Sequence, residues 1–399
     1  MELSVHSIQP TLSMYTAIAR AAIASSNLEQ LVVVMHEMFE REMTPNTALL
    51  KHLVRLACEW GCPRLALQMV EKVEAISRDG QRADTAIWIQ ILMASTDNQY
   101  VRPPRSSGQL TRQLSGVVIA WDRAIQSKAY TPDEGLVLTV LNVAARWGKP
   151  DLATKALAVL PDLAIRPQEL HLVPLLEAYV TAGQLPESFK VLSSIRQAGM
   201  TPSMITAEPI VSALATVDLI DQAFYALEDM HQSGHHVDIV ALNAIIEASV
   251  RMGDLQRVRA TQAAAAELGL SPDRETFNVV LQGCVQARHR PLGDTILSEM
   301  SALSITPDVT TYRQMIMLCL TQPSYEDAFH YLERMKADGI KPPYGVYQAL
   351  MRRCVYVQDK RWRLIKDEME SLGYRLDRET QLELSNPQRS LDDESYIEG

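Results

Sequence analysis

The stretches "LSPDRETFNVVL" (270–281) and "ITPDVTTYRQMI" (305–316) decide the fold. Each reads Pro-Asp, two residues, Thr, an aromatic and a polar residue, and Asp273 and Asp308 stand 35 residues apart. Counting back from Asp273 by the same interval reaches Asp238, Ser203, Gln168 and Asp133, each near the start of a similar phrase. Counting forward from Asp308 reaches Pro343, and a step of 34 then reaches Asp377. Thr11 and Asn46 are again 35 apart. A fixed period in this range is the signature of stacked supersecondary units.

The register divides the chain into ten repeats: 12–46, 47–84, 85–133, 134–168, 169–203, 204–238, 239–273, 274–308, 309–343 and 344–377. Two of them are long, 47–84 by three residues and 85–133 by fourteen. Residues 1–11 read as the end of a truncated repeat or an N-terminal extension, and 378–399 as a capping segment with an acidic tail. Within 309–343, Tyr312, Met315, Ile316 and Cys319 follow helical spacing, and Ala328, Tyr331, Leu332 and Met335 repeat it. Gly339 and Pro342 then stop the second helix, because Gly takes the left-handed cap and Pro cannot continue a helix. A helix pair this short buries its apolar face only by stacking on neighbours, so the predicted fold is an all-α solenoid.

Composition is globular, with 47% hydrophobic and 22% charged residues. The net charge of −10 argues against a strongly basic nucleic-acid binder. No uncharged apolar run reaches the length of a membrane span. "MELSVHSIQP" (1–10) has the features of neither a secretory signal nor a transit peptide.

Catalytic signatures are missing: there is no phosphate-binding loop and no nucleophile elbow, and "HEMFE" at His36 lacks the second His of a zinc protease helix. No catalytic residue, metal ligand or cofactor is expected. Cys284, Cys319 and Cys354 recur at intervals of 35, which makes them small core residues of successive first helices rather than a disulfide set. Of Cys58 and Cys62, one is expected in the core and the other exposed, and His231, His235 and His236 fall at a solvated helix end. The basic run 359–370 reads either as an ion-paired face or as a phosphate or partner contact. Residues 97–111, with Pro103-Pro104 and Ser106-Ser107-Gly108, are expected to bulge out as a loop inside the third repeat.

Several residues together resemble a known family. A Thr-Tyr/Phe opening, Ala in the second helix (Ala66, Ala153, Ala223, Ala328), Glu-Met near its end (Glu37-Met38, Glu299-Met300) and a Gly-x-x-Pro-Asp link are similar to pentatricopeptide repeats. The resemblance covers 12–377, and no repeat shows the Trp-x-x-Leu-Gly-x-x-Tyr opening of the tetratricopeptide rival. It implies a right-handed α-solenoid superhelix of about ten helix-turn-helix repeats. It further implies a non-enzymatic protein of eukaryotic organelles, mainly mitochondria, that binds single-stranded RNA one base per repeat.

In that family the fifth and last residues of each repeat read the base. Here Thr16 with Asn46 resembles the adenine-preferring pair, and Asn243 with Asp273 and Asn278 with Asp308 resemble the uracil-preferring pair. A basic residue late in the first helix faces the phosphates, a place held here by Arg146 and Arg251. The remaining pairs depart from the pattern. Ile89, Leu138 and Val173 put apolar residues at three consecutive reading positions, an apolar stripe of the kind that marks a protein contact. Two functions therefore stand: an RNA-binding adaptor in transcript processing, stability or translation, and a protein-binding scaffold or assembly factor for a mitochondrial complex or ribosome.

Overall fold

The computed structural model describes residues 10–76, 83–96, 107–126, 130–378 and 380–381, and among these there are helices and no strands. The chain folds into two compact bodies, Met1–Ala182 and Gly183–Gly399.

The N-terminal body holds Leu12–Ala24 (α1), Leu28–Glu40 (α2), Thr47–Glu59 (α3), Pro63–Ile76 (α4), Thr85–Thr96 (α5), Ser107–Gln126 (α6), Glu134–Arg146 (α7), Pro150–Leu157 (α8) and Glu169–Thr181 (α9). The C-terminal body holds Leu185–Gln197 (α10), Met204–Ala213 (α11), Val217–Gln232 (α12), Ile239–Arg251 (α13), Leu255–Ala263 (α14), Arg274–Gln286 (α15), Arg290–Ala302 (α16), Val309–Leu320 (α17), Glu326–Ala337 (α18), Tyr344–Tyr356 (α19) and Trp362–Ser371 (α20). From Glu134 onward each odd-numbered helix starts 35 residues after the previous one, at Glu169, Met204, Ile239, Arg274, Val309 and Tyr344.

The links explain why helices start where they do. Asp308 accepts the Thr311 N–H at 2.9 Å while its own N–H reaches Thr311 Oγ1 at 3.2 Å, a reciprocal cap at the head of α17. Asp273 caps α15 in the same way through Thr276. Between these caps the odd helices bury a broad face: Tyr312, Met315, Ile316 and Cys319 of α17 are all within 1% of full burial. The even helices pack through Ala66, Ala153, Ala223 and Ala328, each fully buried, where a small residue lets a neighbouring helix approach. In 274–308 that place belongs to Gly293, and a Cβ built on it would come within 2.2 Å of Leu318 Cδ2. Helix ends close in the left-handed conformation, by Gly339 at φ 74° and, in 274–308, by Ser304 at φ 57°.

In the N-terminal body one apolar cluster gathers Tyr15, Leu31, Met35, Met38 and Leu53. A second is built on Trp88, Ile91, Trp121, Val140 and Leu141.

The expected loop at 97–111 is corrected in its C-terminal part. Ser107–Thr111 belong to α6, whereas 97–106 lie outside the described residues. Leu110, Leu114, Val117 and Trp121 carry a helical period upstream through Ser107-Gly108, and this outweighs the local weakness of that pair. Residues 1–9 and 382–399 also lie outside the described residues; Thr380 donates its N–H to Asp377 at 2.7 Å.

Candidate nucleic-acid interface

Position five of a first helix sits one turn in from the cap, where it faces the cap of the next first helix. Asn243 on α13 shows the result. Its Nδ2 donates to Asp273 Oδ1 at 3.2 Å, and its Oδ1 accepts from Thr276 Oγ1 at 2.7 Å. One repeat on, Asn278 Nδ2 donates to Asp308 at 3.3 Å and Thr311 Oγ1 donates to Asn278 at 2.7 Å. Gln348 reaches the equivalent residues differently, its Nε2 donating to both Asp377 and Thr380, at 3.1 and 2.9 Å, and Lys51 pairs with Asp84. In these four repeats the fifth and last residues thus form a strut from one first helix to the cap of the next. Two of these bridges use pairs that depart from the family pattern.

The struts bury the amides. Asn243 is 0% and Asn278 3% exposed, so neither offers an open hydrogen-bonding edge in this conformation. The other candidate pair is arranged differently. Thr16 Oγ1 donates to the Leu12 carbonyl at 2.7 Å, and Asn46 Oδ1 caps α3 through the Leu49 N–H at 2.9 Å.

The phosphate candidates also differ from expectation. Arg251 is held by Glu208 at 3.0 Å through both Nη atoms and by Glu247 at 3.2 Å. The Arg251 bond holds the Glu208 carboxyl below the usual carboxylate range. One guanidinium against two carboxylates leaves net negative charge, so Arg251 as placed is no anion site. Its partner escaped sequence reading because Glu208 lies 43 residues away, at a reading position of the preceding repeat. Arg146 is exposed at the end of α7.

The same surface of the C-terminal body is acidic. Desolvation by the surrounding protein pushes the carboxyl of the surface residue Glu275 up, and Asp273, Asp308 and Glu247 add to the effect. Half of the basic run near the C-terminus is paired within the protein. Arg361 bonds Glu326 at 2.6 and 2.7 Å and Asp359 at 2.7 Å while stacking 4.4 Å from the Phe329 ring centre, and Lys366 pairs with Glu370.

Of the apolar stripe, Ile89, Leu138 and Val173 are each half-buried, and the first two rest on the core. Sequence reading missed their more exposed neighbours, Met93 at 53% and Leu170 at 46%. Their signal was present: Met93 is one helical turn beyond Ile89, and Leu170 lies three residues before Val173. Cys58, Cys284, Cys319 and Cys354 are free and buried, and Cys62 is half-buried. Among the described residues no group of three His, Cys, Asp or Glu can hold a metal, and no helix is long and apolar enough to cross a membrane.

Two family profiles match the chain, "Pentatricopeptide repeat-containing protein" over residues 134–264 and "Pentatricopeptide repeat domain" over residues 295–356. The chain carries pentatricopeptide repeats over these residues. No curated protein matches it.

Among solved structures, this pentatricopeptide repeat chain is similar to the pentatricopeptide repeat protein PPR10 from maize. The identity is 14% over 97% of this chain and 61% of that one, with a TM-score of 0.38. PPR10 in complex with an 18-nt psaJ RNA element is matched at 18% identity over 98% and 61%, with a TM-score of 0.42. The PPR domain of Arabidopsis thaliana protein-only RNase P 1 in complex with tRNA is matched at 12% identity over 47% of this chain and 98% of that one, with a TM-score of 0.38. The chain spans 61% of the length of PPR10.

Proposed function

We propose that this protein binds single-stranded RNA, without catalysis, in the processing, stability or translation of mitochondrial transcripts. The observation that carries the reading is the pair of identical amide, carboxylate and hydroxyl relays in adjacent repeats, at Asn243–Asp273–Thr276 and Asn278–Asp308–Thr311. A carboxamide has two N–H donors and an oxygen with two lone pairs. Each relay uses one of each, so one donor and one acceptor per amide remain, the pattern that complements a uracil edge. Because both amides are buried, binding is coupled to separation of α13 from α15 and of α15 from α17. RNA must supply the free energy for that opening, so affinity is modest and the footprint short. The mitochondrial setting rests on the family alone.

The test is a titration of labelled U-rich and A-rich RNA at two salt concentrations. The expected result is U-preferring binding at low salt, with Asn278→Val weakening the U-rich oligonucleotide more than the A-rich one, by a discrimination of about 1–3 kcal/mol per base at most. No binding by the wild-type chain at low salt refutes the proposal. Fractionation of cells expressing the native protein, with the chain recovered outside mitochondria, refutes the setting.

A further inference from the structure

The first helices α5, α7 and α9 of the N-terminal body pack in sequence, α5 on α7 and α7 on α9. Along them Ile89, Leu138 and Val173 hold the same helical position, with Met93 and Leu170 standing further into solvent. Such side chains give a base edge nothing to hydrogen-bond, and this face is no place for reading sequence.

The polar groups around this apolar face are mostly acceptors. Helix α5 carries no charged residue, whereas α7, α9 and the α7 cap carry Asp133, Glu134, Glu169 and Glu177 against Arg146. Pro174 lies inside α9 and has no N–H, so the Leu170 carbonyl four residues earlier loses that helical donor. The excess of carboxylates repels phosphate and attracts ammonium and guanidinium groups.

We infer that the α5, α7 and α9 face docks a cationic amphipathic helix of a partner polypeptide. The partner's aliphatic stripe covers Ile89, Leu138, Val173, Met93 and Leu170, and its Lys and Arg residues meet Glu177 and the outer side of Glu134, whose Oε1 lies 3.2 Å from the buried His171 Nε2. Adjacent helices lie about 10 Å apart, so crossing three of them requires about 20 Å. A partner helix of about 14 residues has that length at 1.5 Å per residue. The inference is independent of the RNA reading, which rests on the C-terminal body.

The probe is a peptide of about 16 residues with Leu and Lys in amphipathic helical order. Its Lys-to-Glu counterpart, a scrambled peptide of the same composition and a U-rich RNA serve as comparisons. Binding is followed by anisotropy, and its location by hydrogen exchange on the full chain. The Lys peptide is expected to bind and to slow exchange in α5, α7 and α9. Met93→Asp and Leu170→Asp, both at exposed positions, are each expected to weaken it about tenfold, and Glu177→Lys to weaken it less. Circular dichroism shows whether each variant remains folded. Equal binding of the Glu or scrambled peptide, protection elsewhere, unchanged affinity in folded variants, or RNA protecting these same helices would each overturn the inference.

Discussion

Arg251 lies bidentate on Glu208, Nη1 to Oε1 and Nη2 to Oε2, each at 3.0 Å. The pair joins α11 to α13 and places a carboxylate where the family reads a base. It makes an internal tie of the residue to which the family resemblance assigns a phosphate.

Glu208→Gln is therefore expected to strengthen RNA binding severalfold. It loosens Arg251, removes one negative charge and steepens the salt dependence by about one counterion. Affinity at two salt concentrations checks both effects. An unchanged affinity and salt slope would show that Arg251 takes no part in binding.

Gly293→Ala is expected to destabilise the protein by about 1–3 kcal/mol, because the new methyl meets the buried Leu318 side chain. Leu318→Ala alone leaves a cavity. Combined with Gly293→Ala it should recover part of the loss, and the coupling is measurable in a double-mutant cycle by urea denaturation. Additive losses would show that α16 and α17 are not in close contact there.

Ser304→Gly should act in the opposite direction. Ser304 holds φ at 57°, where an L side chain is strained by about 1–2 kcal/mol. Glycine removes the strain but gains freedom in the unfolded chain. A net stabilisation of about 0.5–1 kcal/mol remains, read as a higher urea midpoint.

The period made the helix pairs legible. Tyr312, Met315, Ile316 and Cys319 stated a buried face, and the Pro-Asp links stated its beginning. The state of the reading residues was not legible. Whether Asn243 is open or buried depends on how closely α13 and α15 approach, and a repeat interval does not specify a distance. Arg251 carried the same limit, since a salt bridge across repeats pairs residues that no local pattern connects. The start of α6 at Ser107 is readable from Leu110 and Leu114, although the Ser-Gly pair argues locally against it.

Acidity provides another check. The carboxyl of Glu275 titrates above its ordinary value in the folded protein, so its contribution to stability is fully present below the unfolded carboxylate range and is lost as pH rises through the folded value. At pH 7 its charge opposes folding. Glu275→Gln should raise Tm at pH 7 by about 1 °C, the scale of a surface effect, and the gain should vanish near pH 4. A gain of equal size at both pH values would assign the effect to something other than charge.

The Asp caps have a consequence for the gene as well as for the fold. Asp238 Oδ1 accepts the Val240 N–H at 2.9 Å at the head of α13, much as Asp273 serves α15. Excising residues 239–273 would join Asp238 to Arg274 and put a carboxylate at the same place before the next helix. Asn243 and Asp273 would leave together, stranding neither half of their strut. The capping register is thus kept through the loss or duplication of a whole repeat, and recombination can lengthen or shorten the chain without leaving a helix uncapped at the scar, while ion pairs across the boundary, Glu208 with Arg251 among them, are parted.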